Sequence, residues 1–342
     1  MRQLVQKFQW RQLFFFIAIV LVGLLIIRNI GRFELFLNLL KSVNLVILAP
    51  IVLIRYLSYR SNTLFFVHYF RIFKKKIAYQ ELFSRVVAMN FVNTVFPLGS
   101  ISGTTFLVRE LDKKVEGKTV IVGQVAYQSL SAIAYLSFML IAFILLVFSN
   151  SIGQGGFRLI ILLIFGLIVA GVVLLLLILN RSIAEFIILT STRPLNSILG
   201  WFGQSALSRK NLIELIDQFY ETGGYFVKNY RKLKKPFWYA WQGVFWEAAT
   251  VYIVALAFHQ LVNPGVIIAA YILALIFSLA SIFTAGVGVY EATMVTVLVA
   301  LGMAFTTAVS IVIVYRVIAM WLFLPIGLIF YRRSTVGAKR GA

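Results

Sequence analysis

Apolar runs of roughly 20 residues recur along the whole chain, separated by short polar segments, a pattern that predicts helices. A helix rising about 1.5 Å per residue crosses a hydrocarbon core of about 30 Å at that length. Hydropathy predicts full spans at 13–30, 44–62, 119–148, 158–180, 237–260 and 305–331. Two further apolar stretches, 79–112 and 264–302, are broken. In the first, Asn93-Thr94-Val95-Phe96-Pro97-Leu98-Gly99-Ser100 interrupts the helix, because proline lacks an N–H and restricts the residue before it. The remaining 100–112 arm, which carries Gly103, is too short to span. In the second, Thr284-Ala285-Gly286-Val287-Gly288 sets Gly286 and Gly288 where they weaken a helix and permit unusual backbone angles or close helix approach.

Both broken stretches are therefore expected to be re-entrant hairpins. The expected fold is an all-α polytopic membrane protein with about six full spans plus two broken re-entrant hairpins arranged as an inverted repeat, the whole chain 1–342 forming one transmembrane domain. The first hairpin enters from one side and precedes an outward span; the second enters from the other and precedes an inward span. Broken helices in inverted repeats are a transporter architecture, with a site at mid-membrane. The segment 181–236 is the one extended polar stretch, and Leu212, Ile213, Leu215, Ile216, Phe219 and Tyr220 fall at amphipathic spacing. It is expected on the bilayer surface or as a packed linker helix.

Charge orients this layout. With both hairpins returning to their starting side, the inside segments 1–12, 55–78, 109–118, 181–236 and 332–342 hold 26 Lys and Arg. The outside segments 28–43, 149–158, 261–264 and 302–305 hold four. That asymmetry satisfies the positive-inside rule and predicts a plasma (cytoplasmic) membrane protein with both termini cytoplasmic. Arg2, Lys7 and Arg11 ahead of an apolar run imitate a signal peptide, but Arg28-Asn29-Ile30-Gly31-Arg32 follows where a small-residue cleavage site would stand, so 13–30 is expected to be a retained span.

Composition excludes a soluble domain: 61% of residues are hydrophobic and 13% charged, against about 25% charged in an average soluble domain. The net charge of +21 suits anionic lipid headgroups, and no nucleic-acid partner is expected. The chain has no cysteine, two histidines (His68, His259) and two aspartates (Asp112, Asp217), so no metal site and no cofactor are expected. A Gly-x4-Gly-Lys-Ser/Thr phosphate loop is absent.

The informative residues are ionisable groups inside apolar stretches, because a charge at mid-bilayer costs roughly 2.5 kcal/mol or more and normally faces a cavity or a partner. Glu247 lies about ten residues into the 237–260 span, Glu291 follows the Gly286/Gly288 break, and Arg316 is near the centre of 305–331. Arg109 and Glu110 stand at the first hairpin's end. Asn90, Asn93, Gln124, Gln128, Ser129 and Ser131 make a polar stripe, whose plainest reading is interhelical hydrogen bonding. For Glu291 and Arg316 two roles stay open: an ion pair locking the second hairpin to the last span, or a phosphate grip by the always-charged, bidentate guanidinium. Glu291 or Glu247 would then meet an amine headgroup, balance Arg316 or carry a proton. The substrate-binding candidates are thus Arg316, Glu291, Glu247, Arg109, Asn90 and Asn93.

Taken in order, Gly286-Val287-Gly288-Val289-Tyr290-Glu291, Leu301-Gly302, Tyr315-Arg316 and Leu324-Pro325-Ile326-Gly327 form a spaced series, with Phe96-Pro97-Leu98-Gly99-Ser100-Ile101-Ser102-Gly103 as its counterpart in the first hairpin. This series resembles the lysylphosphatidylglycerol synthase transmembrane region, or flippase-like, family over most of 10–335. The resemblance implies movement of phospholipids, aminoacylated or not, or of lipid-linked molecules between leaflets, and marks Glu291 and Arg316 as the family's charged positions. The soluble aminoacyl-transferase domain that follows this region in bifunctional synthases is not in the sequence given, so transport of an anionic phospholipid is expected over lipid aminoacylation. The alternatives are a membrane-embedded lipid-modifying enzyme and a non-catalytic lipid-binding partner of a membrane glycosyltransferase.

Overall fold

The computed structural model describes residues 41, 43–95, 100–148, 166, 171, 180–201, 208, 209, 212–214, 216, 217, 220, 230–280 and 288–340. The expected span 13–30, nearly all of 158–180, and the turn residues Pro97, Gly99 and Gly286 lie outside these. The described residues are helical, without a strand.

Asn44 caps a short helix α1 (Leu45–Leu48), its side chain accepting from the N–H groups of Val46 and Ile47. Pro50 ends it and opens α2 (Ile51–Ile72). The expected span 44–62 thus runs ten residues further, because Phe65, Phe66, Tyr69 and Phe70 continue it as an aromatic face with no exposed surface.

The 79–112 stretch is broken as expected, into α3 (Tyr79–Val95) and α4 (Ser100–Leu111). A long helix α5 (Gly117–Phe148) follows. Helix α6 (Arg181–Trp201) begins the polar segment, where Arg181 pairs with Glu185 at 2.7 Å and with Asp217. Helix α7 (Tyr230–Ala257) starts seven residues before the expected span, taking the basic residues Arg231, Lys232, Lys234 and Lys235 into its first turns.

The 264–302 stretch divides in the same proportions as the first. Helix α8 (Pro264–Ala280) has 17 residues, like α3, and α9 (Val289–Ala300) has 12, like α4. The expected span 305–331 is two segments, α10 (Phe305–Trp321) and α11 (Leu324–Arg340). The interruption precedes Pro325, which has no N–H to continue the ladder and is tolerated in a first turn.

Helices α2 and α7, which precede the two hairpins, make the most extensive helix contact of the described residues. Around them the hairpins are crossed reciprocally. The helix after the first hairpin, α5, packs on α8 of the second, and the last helix, α11, packs on α3 of the first. Small residues make both crossings: a Cβ on Gly265 would stand 2.8 Å from the Ala142 carbonyl oxygen, and one on Gly327 would stand 2.5 Å from Phe91 Cβ. Asn263 fastens the first crossing, donating to the Leu145 carbonyl at 2.9 Å while accepting from Gly265 N at 2.7 Å.

Two apolar clusters result. One joins α2, α3, α4 and the first half of α5; the other joins the second half of α5 with α7, α8, α9 and α10. At their junction lie Arg55, Ser58 and Ser61 of α2, Ser131 of α5, and Gln242 and Glu247 of α7.

Two helical stretches among the described residues are long and apolar enough to cross a membrane, Gly117–Phe148 and Phe305–Ser334. Only 33% of the apolar window of the first is buried, and Leu140, Ile144 and Val147 are exposed on it. So much outward apolar surface suits lipid rather than water.

Candidate functional site

Two arginine–carboxylate pairs stand in this frame. The first was not legible as a pair from sequence. Arg55, assigned by hydropathy to the inside segment 55–78, is instead 5% exposed within α2. Its Nη1 donates to Glu247 Oε1 of α7, and its Nη2 donates to the Ala319 carbonyl of α10 at 3.2 Å. Ser58 Oγ donates to the same Glu247 oxygen at 2.9 Å. The Arg55 guanidinium carbon lies 5.5 Å from the centre of the Tyr59 ring, leaving Nε as its one nitrogen without a hydrogen bond among the described residues. This pair ties three helices together. Its signal in the sequence was Glu247 itself, since a carboxylate ten residues inside an apolar span needs a counter-charge.

The second pair joins the hairpin to the last span. Glu291 is the third residue of α9, and its Oε2 accepts from the N–H of Gly288, the residue that caps that helix. Gly288 has φ +87°, a conformation that disfavours any side chain, and it turns the chain so that this N–H points back at the carboxylate. The other oxygen, Oε1, accepts from Arg316 Nε of α10 at 2.5 Å. The Arg316 guanidinium carbon lies 4.4 Å from the centre of the Tyr290 ring, and Tyr290 stacks on Tyr315 at 6.4 Å.

The pairs differ in closure. The difference lies mainly in the arginines: the Arg55 side chain is 6% exposed beside Glu247 at 24%, whereas those of Arg316 and Glu291 are 26% and 30% exposed. Glu291 has both oxygens engaged. Among the described residues, Nε makes the only hydrogen bond of Arg316, so both Nη groups stay available to a ligand.

The remaining candidates separate. Asn93 Oδ1 accepts from the backbone N–H of Gly103 at 2.8 Å, joining the two arms of the first hairpin. Asn90 Nδ2 donates to the Val86 carbonyl one turn back at 2.9 Å. Arg109 is exposed at the end of α4, and Glu110 meets Arg85 at 3.6 Å. Neither the asparagines nor Arg109 contacts the Glu291–Arg316 pair among the described residues. No group of three or more His, Asp or Glu able to hold a metal occurs among the described residues.

No curated protein matches the chain significantly. The family model described as lysylphosphatidylglycerol synthase TM region matches residues 12–327, which contain both hairpins and both pairs, and the chain belongs to that membrane-protein family.

Proposed function

We propose that this protein moves a phospholipid, or another anionic lipid-linked amphiphile, between the leaflets of the plasma membrane, its headgroup passing the Glu291–Arg316 pair while the tails stay in lipid. One observation carries the reading. Arg316 is oriented through Nε by a carboxylate that is itself held by Gly288, and its two Nη groups have no hydrogen bond among the described residues. A fixed, always-charged fork with two donor nitrogens left for a ligand suits phosphate recognition. Glu291 balances the charge between substrates, so the site is not left as an isolated cation in an apolar region.

The architecture supports the same reading. Two hairpins of equal arm lengths, each crossed by the helix that follows the other, suit an inverted repeat in which one half rocks against the other. The charge asymmetry favours cytoplasmic termini, with 1–342 as a single transmembrane domain.

The test is a leaflet-resolved transfer assay in proteoliposomes with a fluorescent phosphatidylglycerol. Arg316→Lys keeps the charge and loses the fork. We expect folded yield and melting temperature near wild type with transfer reduced about 10-fold or more, the scale of one lost charge-assisted hydrogen bond of about 1.5–3 kcal/mol. Normal transfer by a normally stable Arg316→Lys would overturn the ligand role. A chemically altered lipid product from the wild-type protein would favour the lipid-modifying enzyme, and neither transfer nor product would favour the non-catalytic partner.

A further inference from the structure

A second charged site lies away from both pairs. Between the first hairpin and the last helix opens a cavity of about 590 Å³, within the size range of small-molecule sites. It is formed where α11 crosses α3, with Phe330 on its wall. Five cations line it against two carboxylates, a surplus of three positive charges.

Those cations are of two kinds. Arg85 meets Glu81 at 3.0 Å and Glu110 at 3.6 Å, and Lys114 meets Glu81 at 2.5 Å. These are spent on holding α3, α4 and the following turn together. Arg109, Lys113 and Arg333 make no ion pair or hydrogen bond among the described residues, and Asp112 is the one lining carboxylate without an ion pair there. Three unpaired cations, Arg109 and Lys113 from the end of α4 and the turn after it and Arg333 from α11, converge on one concave space and repel one another unless an anion joins them.

We propose that this cavity binds a phosphate-bearing anion of charge about two or more, a phosphomonoester or a diphosphate, with Arg109 and Arg333 as its principal ligands. A monoanionic phosphodiester would leave the three cations undercompensated, whereas a dianion matches them once Asp112 is counted. The group comes either from a lipid headgroup or from a water-soluble phosphorylated molecule. The proposal goes beyond the transport reading, because binding here requires neither translocation nor Arg316.

The experiment uses the full chain in phosphatidylcholine nanodiscs and reads thermal stability and bound ligand. Pyrophosphate is titrated in solution; in separate discs phosphatidic acid or phosphatidylglycerol is included. Stabilisation by pyrophosphate identifies a soluble source, and stabilisation by phosphatidic acid alone identifies a lipid source; either supports the site. Arg109→Gln with Arg333→Gln is expected to fold normally, since both side chains are exposed, and to weaken the effective probe about 10-fold or more. Lys75→Gln, which removes an exposed cation outside the cavity, is expected to bind as wild type. The proposal is overturned if neither probe stabilises the protein, if the double variant responds as wild type, or if phosphatidylglycerol stabilises as strongly as phosphatidic acid. Any of these results with lipid transfer intact removes this site and leaves the transport reading standing. Loss of transfer in Arg316→Lys with cavity binding intact separates the two in the other direction.

Discussion

Arg55 and Arg316 each face one carboxylate, yet they invite opposite experiments. Arg55 is buried, with Glu247, Ser58 and the Ala319 carbonyl around it. Removing Glu247 strands the buried Arg55 charge, and breaking a buried pair in this way costs about 3–5 kcal/mol in soluble proteins, while replacing both members by apolar residues of similar volume is often neutral. Glu247→Leu alone is therefore expected to lower the melting temperature sharply, and Arg55→Met combined with Glu247→Leu to recover much of it. A double-mutant cycle of thermal melts measures the coupling, and additive losses would show that the pair holds nothing together. Glu291 and Arg316, with side chains 30% and 26% exposed, should show a smaller stability coupling in the same cycle than the pair anchored by the buried Arg55. The sequence disclosed Glu247, Glu291 and Arg316 because each interrupts a strongly apolar run. It hid Arg55, because Arg60 and the 74–76 lysines follow closely and hydropathy there resembles a helix end. Its partner is 192 residues away, a separation that no local pattern reports.

The hairpins were legible at the level of elements because their breaks are chemical: Pro97 removes a donor, and Gly286 and Gly288 remove the side chains that stabilise a helix. Where the arms touch was less legible, since close approach depends on which glycine meets which helix. Gly103 is the clearest case. A Cβ there would lie 2.1 Å from Asn93 Oδ1 and 2.7 Å from the Met89 carbonyl oxygen. Gly103→Ala should push α3 and α4 apart and break the Asn93 bond, destabilising the protein by about 1–3 kcal/mol, the usual range for overpacking. Adding Asn93→Ala should rescue only part of this loss, because the Met89 carbonyl belongs to the backbone and cannot rotate away. Thermal melts of the single and double variants decide it: full rescue would locate the whole conflict in the asparagine side chain. The same logic explains why 305–331 looked continuous in hydropathy, where Pro325 in an apolar context leaves little trace, and yet divides at 322–323.

At the scale of the whole molecule, charge and hairpin geometry must agree, and their agreement has a direct test. If 79–112 is a hairpin, the turn around Lys113 lies on the same side as 74–76; if it were one full span, the two would be on opposite sides, and the basic segment 228–235 would fall outside. The structure favours return, since α3 and α4 pack on each other and Lys114 bonds Glu81, next to the start of α3. The 261 turn should face the opposite side, because the basic residues 231–235 occupy the first turns of α7 and the rest of that helix, to Ala257, separates them from it. Cysteine labelling is clean in a chain without cysteine. Lys113→Cys and Lys75→Cys, both exposed, are expected to resist an impermeant thiol reagent in intact cells and to react after permeabilisation. Leu261→Cys, at a position 90% exposed, is expected to react from outside without it. Labelling of Lys113→Cys from outside while Lys75→Cys stays protected would make 79–112 a full span, which would remove the inverted repeat. Protection of both, with Leu261→Cys open, means that the two broken stretches start from opposite sides of the membrane about the α2–α7 contact, as alternating access through a central headgroup site requires.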